Sequence, residues 1–231
     1  MNIKILHMIE GAKRATGITV VIDVFRAFSV EAYLMNNNAE KLMPVGDKQI
    51  AYDYKKEHND CILIGERGGV MLEGFDYGNS PSQIENIDFT GKTIVHTTSS
   101  GTQGIANAEN AQEILTGSLV NAKAIAKYIK RIGAKDVSLV SMGVAGKQEA
   151  DEDTLCAKYI KSLLEDKEMN IDKEIEQLKF TSGSKFFDKE KQSVFPEKDF
   201  YLCTELNKFN FVLKVVKDSN GMNYIRKINV E

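Results

Sequence analysis

The sequence lacks tryptophan and is poor in cysteine, and its three cysteines, Cys61, Cys156 and Cys203, lie far apart. Because no two of them form a CxxC pair, neither a disulfide framework nor a zinc site is expected. This cysteine usage suits a reducing compartment such as the cytoplasm.

Long apolar runs are also missing. None approaches the ~18 residues of a membrane-spanning helix, and the N-terminus lacks the apolar stretch of a signal peptide. The net charge is -3 and no long basic run occurs, which argues against a nucleic-acid partner. We therefore expect neither a membrane nor a nucleic acid as partner.

Several catalytic motifs are absent as well. The chain has no GxxxxGK[ST] nucleotide loop, no GxGxxG after its first predicted strand and no GxSxG elbow. Only three histidines occur, and none belongs to an HExxH motif. We keep only His96, beside a loop rich in hydroxyl groups, as a minor candidate for the site.

The composition that remains is that of a globular protein, with 42% hydrophobic and 27% charged residues in 231. This length predicts one large domain or two small ones. We interpret residues 1–231 as a single domain, with two interlocked α/β lobes as the alternative. The oligomeric state is left open, and a homodimer is one arrangement that the sequence allows.

Short apolar runs alternate with segments of helical period through the first two thirds of the chain. Such alternation predicts an α/β fold, with a mainly parallel or mixed sheet and helices on both faces. The predicted strands are Ile18–Val24, Ile62–Ile64, Thr93–His96 and Val137–Met142, and the predicted helices are Ala27–Asn36, Gln49–His58, Gly101–Ala108, Asn121–Ile132 and Asp151–Leu164.

The last third of the chain is more polar. Leu163–Glu176 predicts a charged surface helix or loop, and Ser182–Asp199 is polar with scattered phenylalanines. Phe211–Lys217 and Tyr224–Ile228 predict two strands, joined by a turn that contains an Asn-Gly pair. We interpret these strands as a C-terminal β-hairpin and not as a separate domain.

Polar side chains follow each predicted strand of the sheet. In an open α/β sheet, ligands bind beyond the carboxyl ends of the strands, so these residues are the candidates for a site. They are Asp23 and Arg26, then Glu66 and Arg67, then Thr98–Thr102, and finally Glu152 and Asp153 at the start of a helix.

Asp23, Glu66 and Asp153 provide three hard oxygen donors at adjacent strand ends, a set that suits Mg²⁺. Each also has an ordinary structural explanation. Asp23 could pair with a neighbouring arginine, and Glu66 could be a solvated loop charge. The acidic pair that includes Asp153 could simply favour a helix dipole.

The run HTTSSGTQG, which contains Thr98–Thr102, lies between a predicted strand and a predicted helix. Free N–H groups at a helix start, a glycine and several hydroxyls predict a cradle for phosphate or sulfonate. The alternative is ordinary N-capping by Ser99 or Ser100. Asn79, in the turn-rich segment GFDYGNSPS, presents a polar group at the same edge or belongs to a plain loop.

Five motifs occur in a fixed order: VVIDVFRAFSV, GERGG, GFDYGNSPSQ, TTSSGTQG and GVAGKQEADEDTLCA. Together they resemble the 2-phosphosulfolactate phosphatase family, and the segment SKFFDKEKQSVFPEKDFYLC is similar to that family too. Ordered motifs that span most of the chain are more specific than any one of them. This sequence departs from the expected family pattern at two positions. Ser100 stands where asparagine is common in the family, and Gln103 stands where a basic residue is frequent.

The resemblance implies an enzyme, a phosphoric monoester hydrolase with Mg²⁺ as cofactor. It would convert (R)-2-phospho-3-sulfolactate to (R)-3-sulfolactate and phosphate, a step of coenzyme M biosynthesis in methanogens. The alternatives are a phosphatase of another small phospho-acid and a non-catalytic anion-binding protein on the same fold. The implied roles are catalysis by Asp23 and Arg26, substrate binding by Arg67, Asn79, Thr98, Ser99, Ser100, Gly101 and Thr102, and metal binding by Asp23, Glu66, Glu152 and Asp153.

Overall fold

The computed structural model describes residues 1–230, which form two β-sheets surrounded by helices. The strands are β1 (Asn2–His7), β2 (Gly17–Ile22), β3 (Lys41–Pro44), β4 (Ile62–Arg67), β5 (Val70–Met71), β6 (Thr93–Thr97), β7 (Ala111–Gly117), β8 (Asp136–Ser141), β9 (Phe211–Lys217) and β10 (Asn223–Asn229). The α-helices are α1 (Met8–Arg14), α2 (Ala27–Asn36), α3 (Lys48–Glu57), α4 (Pro81–Ile84), α5 (Gly101–Asn107), α6 (Ala122–Arg131), α7 (Asp151–Leu164), α8 (Asp172–Leu178) and α9 (Glu197–Thr204).

The larger sheet has six strands in the order β1-β8-β2-β7-β9-β10. Strands β1, β8, β2 and β7 are parallel, and Val20 in β2 pairs with Leu139 on one side and Leu115 on the other. The C-terminal hairpin of β9 and β10 joins this sheet, because β9 runs antiparallel to β7. The predicted hairpin is therefore present, and it forms an edge of the main sheet.

The smaller sheet has four strands in the order β3-β6-β4-β5. Strand β6 lies between β3 and β4 and is parallel to both, and the two-residue β5 folds back antiparallel on β4. The carboxyl ends of β4 and β6 therefore lie side by side.

The burial pattern explains why these segments form their elements. In β2, the five residues from Ile18 to Ile22 are buried, as a central strand covered on both faces requires. Helix α6 buries its alanines together with Ile125, Tyr128 and Ile129, and exposes its lysines on the opposite face. This one-sided pattern packs α6 against β2 and α7.

The predicted α/β class, with mostly parallel pairing and a C-terminal β-hairpin, is confirmed. The helices predicted at Ala27–Asn36 and Asp151–Leu164 have the bounds of α2 and α7. The number of sheets differs from the expectation, because β3, β4 and β6 form a sheet of their own. Within residues 1–230, no helix is both long and apolar enough to cross a membrane.

Candidate active site

A cavity of about 740 Å³ lies where the carboxyl ends of strands from both sheets meet. Asp23 follows β2 and Gly143 follows β8, whereas Glu66 ends β4, and Ser99 and Ser100 follow β6. The start of α7 and the segment after α8 complete the lining. They contribute Glu149, Ala150, Asp151, Glu152, Asp153, Thr181, Ser182, Ser184 and Lys185.

The lining carries a strong excess of negative charge. Only Arg26 and Lys185 are cationic, and the ion pair of Arg26 with Asp199 already neutralises one of the two. Six carboxyl groups line the same cavity, so negative charge outweighs positive charge in its wall. The six belong to Asp23, Glu66, Glu149, Asp151, Glu152 and Asp153.

Asp23 is buried at the end of β2, with a relative exposure of 6%. Its Oδ1 accepts a hydrogen bond from Ala27 N at 3.1 Å, and Gly101 N also donates to the carboxylate. Desolvation raises the pKa of this carboxyl to about 7, and the nearby charges of Glu66 and Glu152 act in the same direction. A carboxyl with a pKa near neutrality can take up and release a proton at physiological pH.

Asp153 joins the ends of two parallel strands. Its Oδ1 accepts from Val24 N at 2.7 Å, after β2, and its Oδ2 accepts from Gly143 N at 2.8 Å, after β8. Burial raises the pKa of Asp153 well above its ordinary value, and the charges of Glu152 and Asp23 add to the shift. The first role that the structure gives Asp153 is therefore to hold the strand ends in place.

Glu152 precedes Asp153 and has a different environment. Burial raises the pKa of its carboxyl, whereas the charge of Lys185 opposes the shift. Within residues 1–230, neither its Oε2 nor Oγ of Ser182 in the same lining has a partner in hydrogen-bond geometry, although the Ser182 hydroxyl is near enough to oppose the rise in the pKa of Glu152. A buried carboxylate oxygen without a donor is costly, so this atom is suited to a ligand.

Part of the loop Thr98–Thr102 is engaged by the protein itself, but no hydrogen bond engages Ser100 N within residues 1–230, so the predicted anion cradle stays a prediction. Ser99 N donates to Oε1 of Glu66 at 2.6 Å, and Gly101 N donates to Asp23. Thr98 N and Thr102 N are satisfied by the hydroxyl of the other residue of that pair. The loop therefore binds carboxylates of the protein itself and fixes their positions.

Ser99 and Ser100 are the residues of this loop that line the cavity. Oγ of Ser99 donates to Oε2 of Glu66 at 3.1 Å, and Oγ of Ser100 donates to the carbonyl of Gly143 at 2.6 Å. Thr98 and Thr102 are buried behind them and pair with each other. The substrate contacts predicted for Thr98 and Thr102 stay predictions, and the role that the structure shows for this pair is to shape the loop.

The two predicted arginines are placed differently. Arg26 lines the cavity, and its Nη1 donates to Oδ2 of Asp199 at 2.6 Å. The guanidinium of Arg67 lies outside the cavity, where Nη2 donates to the carbonyl of Gly46 and to Oγ1 of Thr97, both at 3.0 Å. The predicted substrate contact of Arg67 stays a prediction, since Arg67 does not line this cavity and its donors engage Gly46 and Thr97.

Comparison with known proteins identifies the family. The sequence profile of 2-phosphosulpholactate phosphatase matches residues 4–218. A probable 2-phosphosulfolactate phosphatase of Bacillus subtilis is 34% identical over 203 residues, which are 87% of this chain and 88% of that protein. The chain belongs to the 2-phosphosulfolactate phosphatase family.

Two further relatives of the same name agree with this assignment. The protein of Carboxydothermus hydrogenoformans is 39% identical over 71% of this chain and 68% of its own length. The protein of Clostridium acetobutylicum is 40% identical over 61% of this chain and 60% of its own length. The resemblance inferred from five motifs is confirmed, and the chain is a member of a family of phosphoric monoester hydrolases.

For a phosphatase of this family, Lys185 is the functional candidate that the sequence did not single out. It lines the cavity, and its Nζ lies 5.9, 5.5 and 5.4 Å from the ring centroids of Phe25, Phe186 and Phe195. The aromatic rings hold the ammonium beside the carboxylates by cation–π attraction. The only sequence signal was a lysine beside two phenylalanines in the string SKFF, in a segment with no periodic pattern.

The lining also fits the magnesium ion that the family resemblance implies. Within residues 1–230, no three His, Cys, Asp or Glu side chains converge closely enough to hold a metal by themselves. Mg²⁺ is usually bound through one or two carboxylates, with waters and substrate phosphates as the other ligands. The unpartnered Oε2 of Glu152 and the mutual repulsion of Asp23, Glu66 and Glu152 match that mode of binding.

Proposed function

We propose that this protein is a Mg²⁺-dependent phosphatase that hydrolyses (R)-2-phospho-3-sulfolactate to (R)-3-sulfolactate and phosphate. Family membership supports the phosphatase activity and its substrate. The observation that carries the proposal is the cavity itself, which combines buried carboxylates with the ammonium of Lys185. A substrate with several anionic groups needs both a metal cation and a protein cation for neutralisation.

Glu152, together with either Asp23 or Glu66, would hold the metal ion, and waters and substrate phosphate would be its other ligands. Glu152 offers the buried oxygen without a partner, and Glu66 is oriented by hydrogen bonds from Ser99 N and Gly69 N, both at 2.6 Å. Asp153 already accepts two backbone hydrogen bonds and would contribute only its remaining lone pairs. When bound, Mg²⁺ would polarise a phosphate oxygen and neutralise the charge that develops in hydrolysis.

Lys185 and Arg26 would bind the anionic groups of the substrate. Lys185 approaches from the segment after α8, whereas Arg26 approaches from the segment before α2. Because Asp199 and the carbonyl of Val194 engage Nη1 of Arg26, the guanidinium is held in one orientation and its other nitrogens remain for substrate. The hydroxyls of Ser99 and Ser100 add polar atoms to the same wall of the cavity.

Asp23 is the residue that we assign to the proton transfer. As water attacks phosphorus, a new P–O bond forms, the ester P–O bond breaks, and the proton of the water passes to the Asp23 carboxylate. The hydroxyl oxygen of the released sulfolactate takes up a proton from solvent. A pKa of about 7 places Asp23 near the range in which a carboxylate is most effective as a general base.

The test is phosphate release from a panel of small phospho-acids, measured with Mg²⁺ and after exhaustive chelation. We expect turnover of 2-phosphosulfolactate that chelation abolishes and added Mg²⁺ restores. If another phospho-acid is preferred, the proposed substrate is wrong but the proposed hydrolysis stands. If turnover is unchanged after chelation, the proposed requirement for a metal ion is wrong. If the phospho-acids bind but no phosphate is released, the result would favour a non-catalytic anion-binding protein over an enzyme.

A further inference from the structure

A chain of three buried side chains leads from helix α2 to the wall of the cavity. Oε1 of Glu31, in α2, lies 3.1 Å from Nδ1 of His96, in β6. Nε2 of the same imidazole lies 3.2 Å from Oδ1 of Asn79. Glu31 and His96 are 0% exposed, whereas Asn79 lines the cavity. Neither Glu31 nor His96 touches the cavity, so their effect on it must pass through Asn79.

The burial of Glu31 restricts the charge that this chain can carry. Within residues 1–230, the imidazole of His96 is the only basic group in ion-pair distance of the carboxylate, and Oε2 of Glu31 has no hydrogen-bond partner. An isolated negative charge in such a place is costly. The Glu31–His96 pair is therefore neutral as a whole.

Three distributions of protons make the pair neutral and keep its hydrogen bond. One of them, with Glu31 protonated on Oε2 and the Nδ1–H group of His96 donating to Oε1, is costly because it buries the Oε2 hydroxyl without an acceptor. Two distributions remain. In one, ionised Glu31 pairs with an imidazolium, and in the other, protonated Glu31 donates to Nδ1 of a neutral imidazole. Both distributions leave a proton on Nε2 of His96. The neutral imidazole with its proton on Nδ1 beside an ionised Glu31 is the arrangement that would leave one uncompensated charge.

A proton on Nε2 determines which way the amide of Asn79 is turned. The Nε2–H group donates, so it must face the carbonyl oxygen of Asn79, which agrees with the 3.2 Å contact to Oδ1. The amide NH₂ group is then directed to the side where the cavity lies. No protein acceptor within residues 1–230 forms a hydrogen bond with it.

We propose that the Glu31–His96 pair positions Asn79 so that its NH₂ group donates to an anionic group of the substrate. This role rests on the proposed function, since a phosphate, carboxylate or sulfonate must accept the hydrogen bond. Glu31 and His96 are positioning residues, and Asn79 is the residue that contacts the ligand. The opposite amide orientation would present an oxygen, which repels an anion.

The first test needs no turnover. Long-range ¹⁵N spectra of the folded protein report the protonation of each imidazole nitrogen, and the signals of His7 and His58 are assigned by single His→Gln variants. We expect Nε2 of His96 to be protonated. A neutral imidazole with its proton on Nδ1 would overturn the proposal. Titration with inorganic phosphate should then shift the side-chain NH₂ signal of Asn79, and an unmoved signal at saturation would also contradict it.

The second test removes the pair as a whole, in the variant Glu31→Met/His96→Leu, so that no charge is left unpaired in the core. We expect a folded protein whose KM is raised about tenfold, the scale for one hydrogen bond to a charged group, with kcat nearly unchanged. In an Asn79→Ala background, removal of the pair should have no further effect on KM.

The outcomes separate this proposal from the proposed function. If the wild-type protein releases no phosphate, the proposed function fails, and the ¹⁵N spectra still decide the orientation of Asn79. If the wild-type protein is active but the double variant keeps the wild-type KM, only the positioning role fails. An equal rise of KM with and without Asn79 would also refute it, because the effect would then not pass through Asn79.

Discussion

Nη1 of Arg26 lies 2.6 Å from Oδ2 of Asp199, and the two side chains are only 3% and 0% exposed. The other oxygen of Asp199 accepts from Oγ of Ser80 and from Ser82 N, both at 2.9 Å. Asp199 therefore ties the cavity arginine to the segment that follows Asn79. The sequence alone suggested Asp23 as an ion-pair partner for a neighbouring arginine, and it did not single out Asp199.

Asp199→Asn should unfold the protein more easily, because it leaves the Arg26 cation buried without a counter-charge. We expect a loss of about 3–5 kcal/mol in the free energy of unfolding, measured by urea titration. The matched control is Asp218→Asn, which removes the charge from the more exposed pair with Lys41 and should cost about 0–1 kcal/mol. Equal losses in both variants would show that burial of the Arg26 pair has no special effect.

Asp23→Asn keeps the shape of the side chain and removes its charge. In the metal-free protein we expect unchanged or higher stability, because desolvation and the charges of Glu66 and Glu152 disfavour ionised Asp23. Turnover at saturating Mg²⁺ should fall at least ~100-fold, the scale for loss of one positioned catalytic group. A variant that is less stable but keeps near-normal kcat would make Asp23 a structural residue.

The metal-free protein should lose stability as the pH rises from about 4 towards 7. The pKa of Asp23 is raised from 3.8 to about 7 in the folded state, so between these values the folded protein keeps a proton that the unfolded chain has released. The loss of stability caused by ionisation of Asp23 is absent below this pH range and constant above it. Thermal melts in chelator at pH 5 and pH 8 measure the effect, and Asp23→Asn should flatten it. Higher stability at pH 8 would contradict the assignment.

Gly101→Ala should destabilise the protein by about 1–3 kcal/mol through overpacking. A Cβ atom at this position would lie 2.8 Å from Cβ of Ala27 and 2.9 Å from Oδ2 of Asp23. The collision is with the protein interior and not with a ligand, so kcat should fall as Asp23 is displaced. Gly46→Ala is the control, since its closest neighbour is the amide of the flexible Gln103 side chain at 3.3 Å. Calorimetric melts of both variants, with kcat, measure the difference.

Lys185→Met should raise KM for 2-phosphosulfolactate by about tenfold, because it removes a cation from the substrate cavity and keeps the length of the side chain. Lys179→Met is the matched control. Nζ of Lys179 also lies near aromatic rings, 5.3 Å from that of Tyr201, but this lysine does not line the cavity. Steady-state kinetics should separate the two, and similar KM values for both variants would exclude Lys185 from substrate binding.

Apolar runs made the central part of the fold predictable from sequence. Strand β2 is buried on both faces, so its Val and Ile residues form an uninterrupted signal. Strand β3 has only four residues and ends at Pro44, and it exists because β6 pairs with it. Strand β7 alternates in burial at its start and shows no continuous run. Such strands depend on pairing with distant segments, which local sequence does not express.

The residues of the candidate site also fall into two groups: those that local sequence patterns predict, and those that only contacts across the fold bring into place. Asp23, Glu66 and Asp153 were predictable because each follows a recognisable strand or begins a clear helix. Lys185 and Asp199 lie in a polar stretch without periodicity, and only their aromatic and ionic contacts across the fold place them. Arg67 is the last residue of β4, and a side chain at a strand end can point to either side of the sheet.

Glu152 and Asp153 are adjacent in sequence but about 100° apart around the axis of α7. One carboxylate is committed to backbone N–H groups of two strands, and the other has an oxygen without a partner. The two positions should therefore tolerate different changes. Position 153 is limited by side-chain length, since its two contacts lie at 2.7 and 2.8 Å, whereas position 152 is limited by charge. Under the proposed metal binding, substitutions at position 152 should change the metal preference without disturbing the strand ends that Asp153 holds.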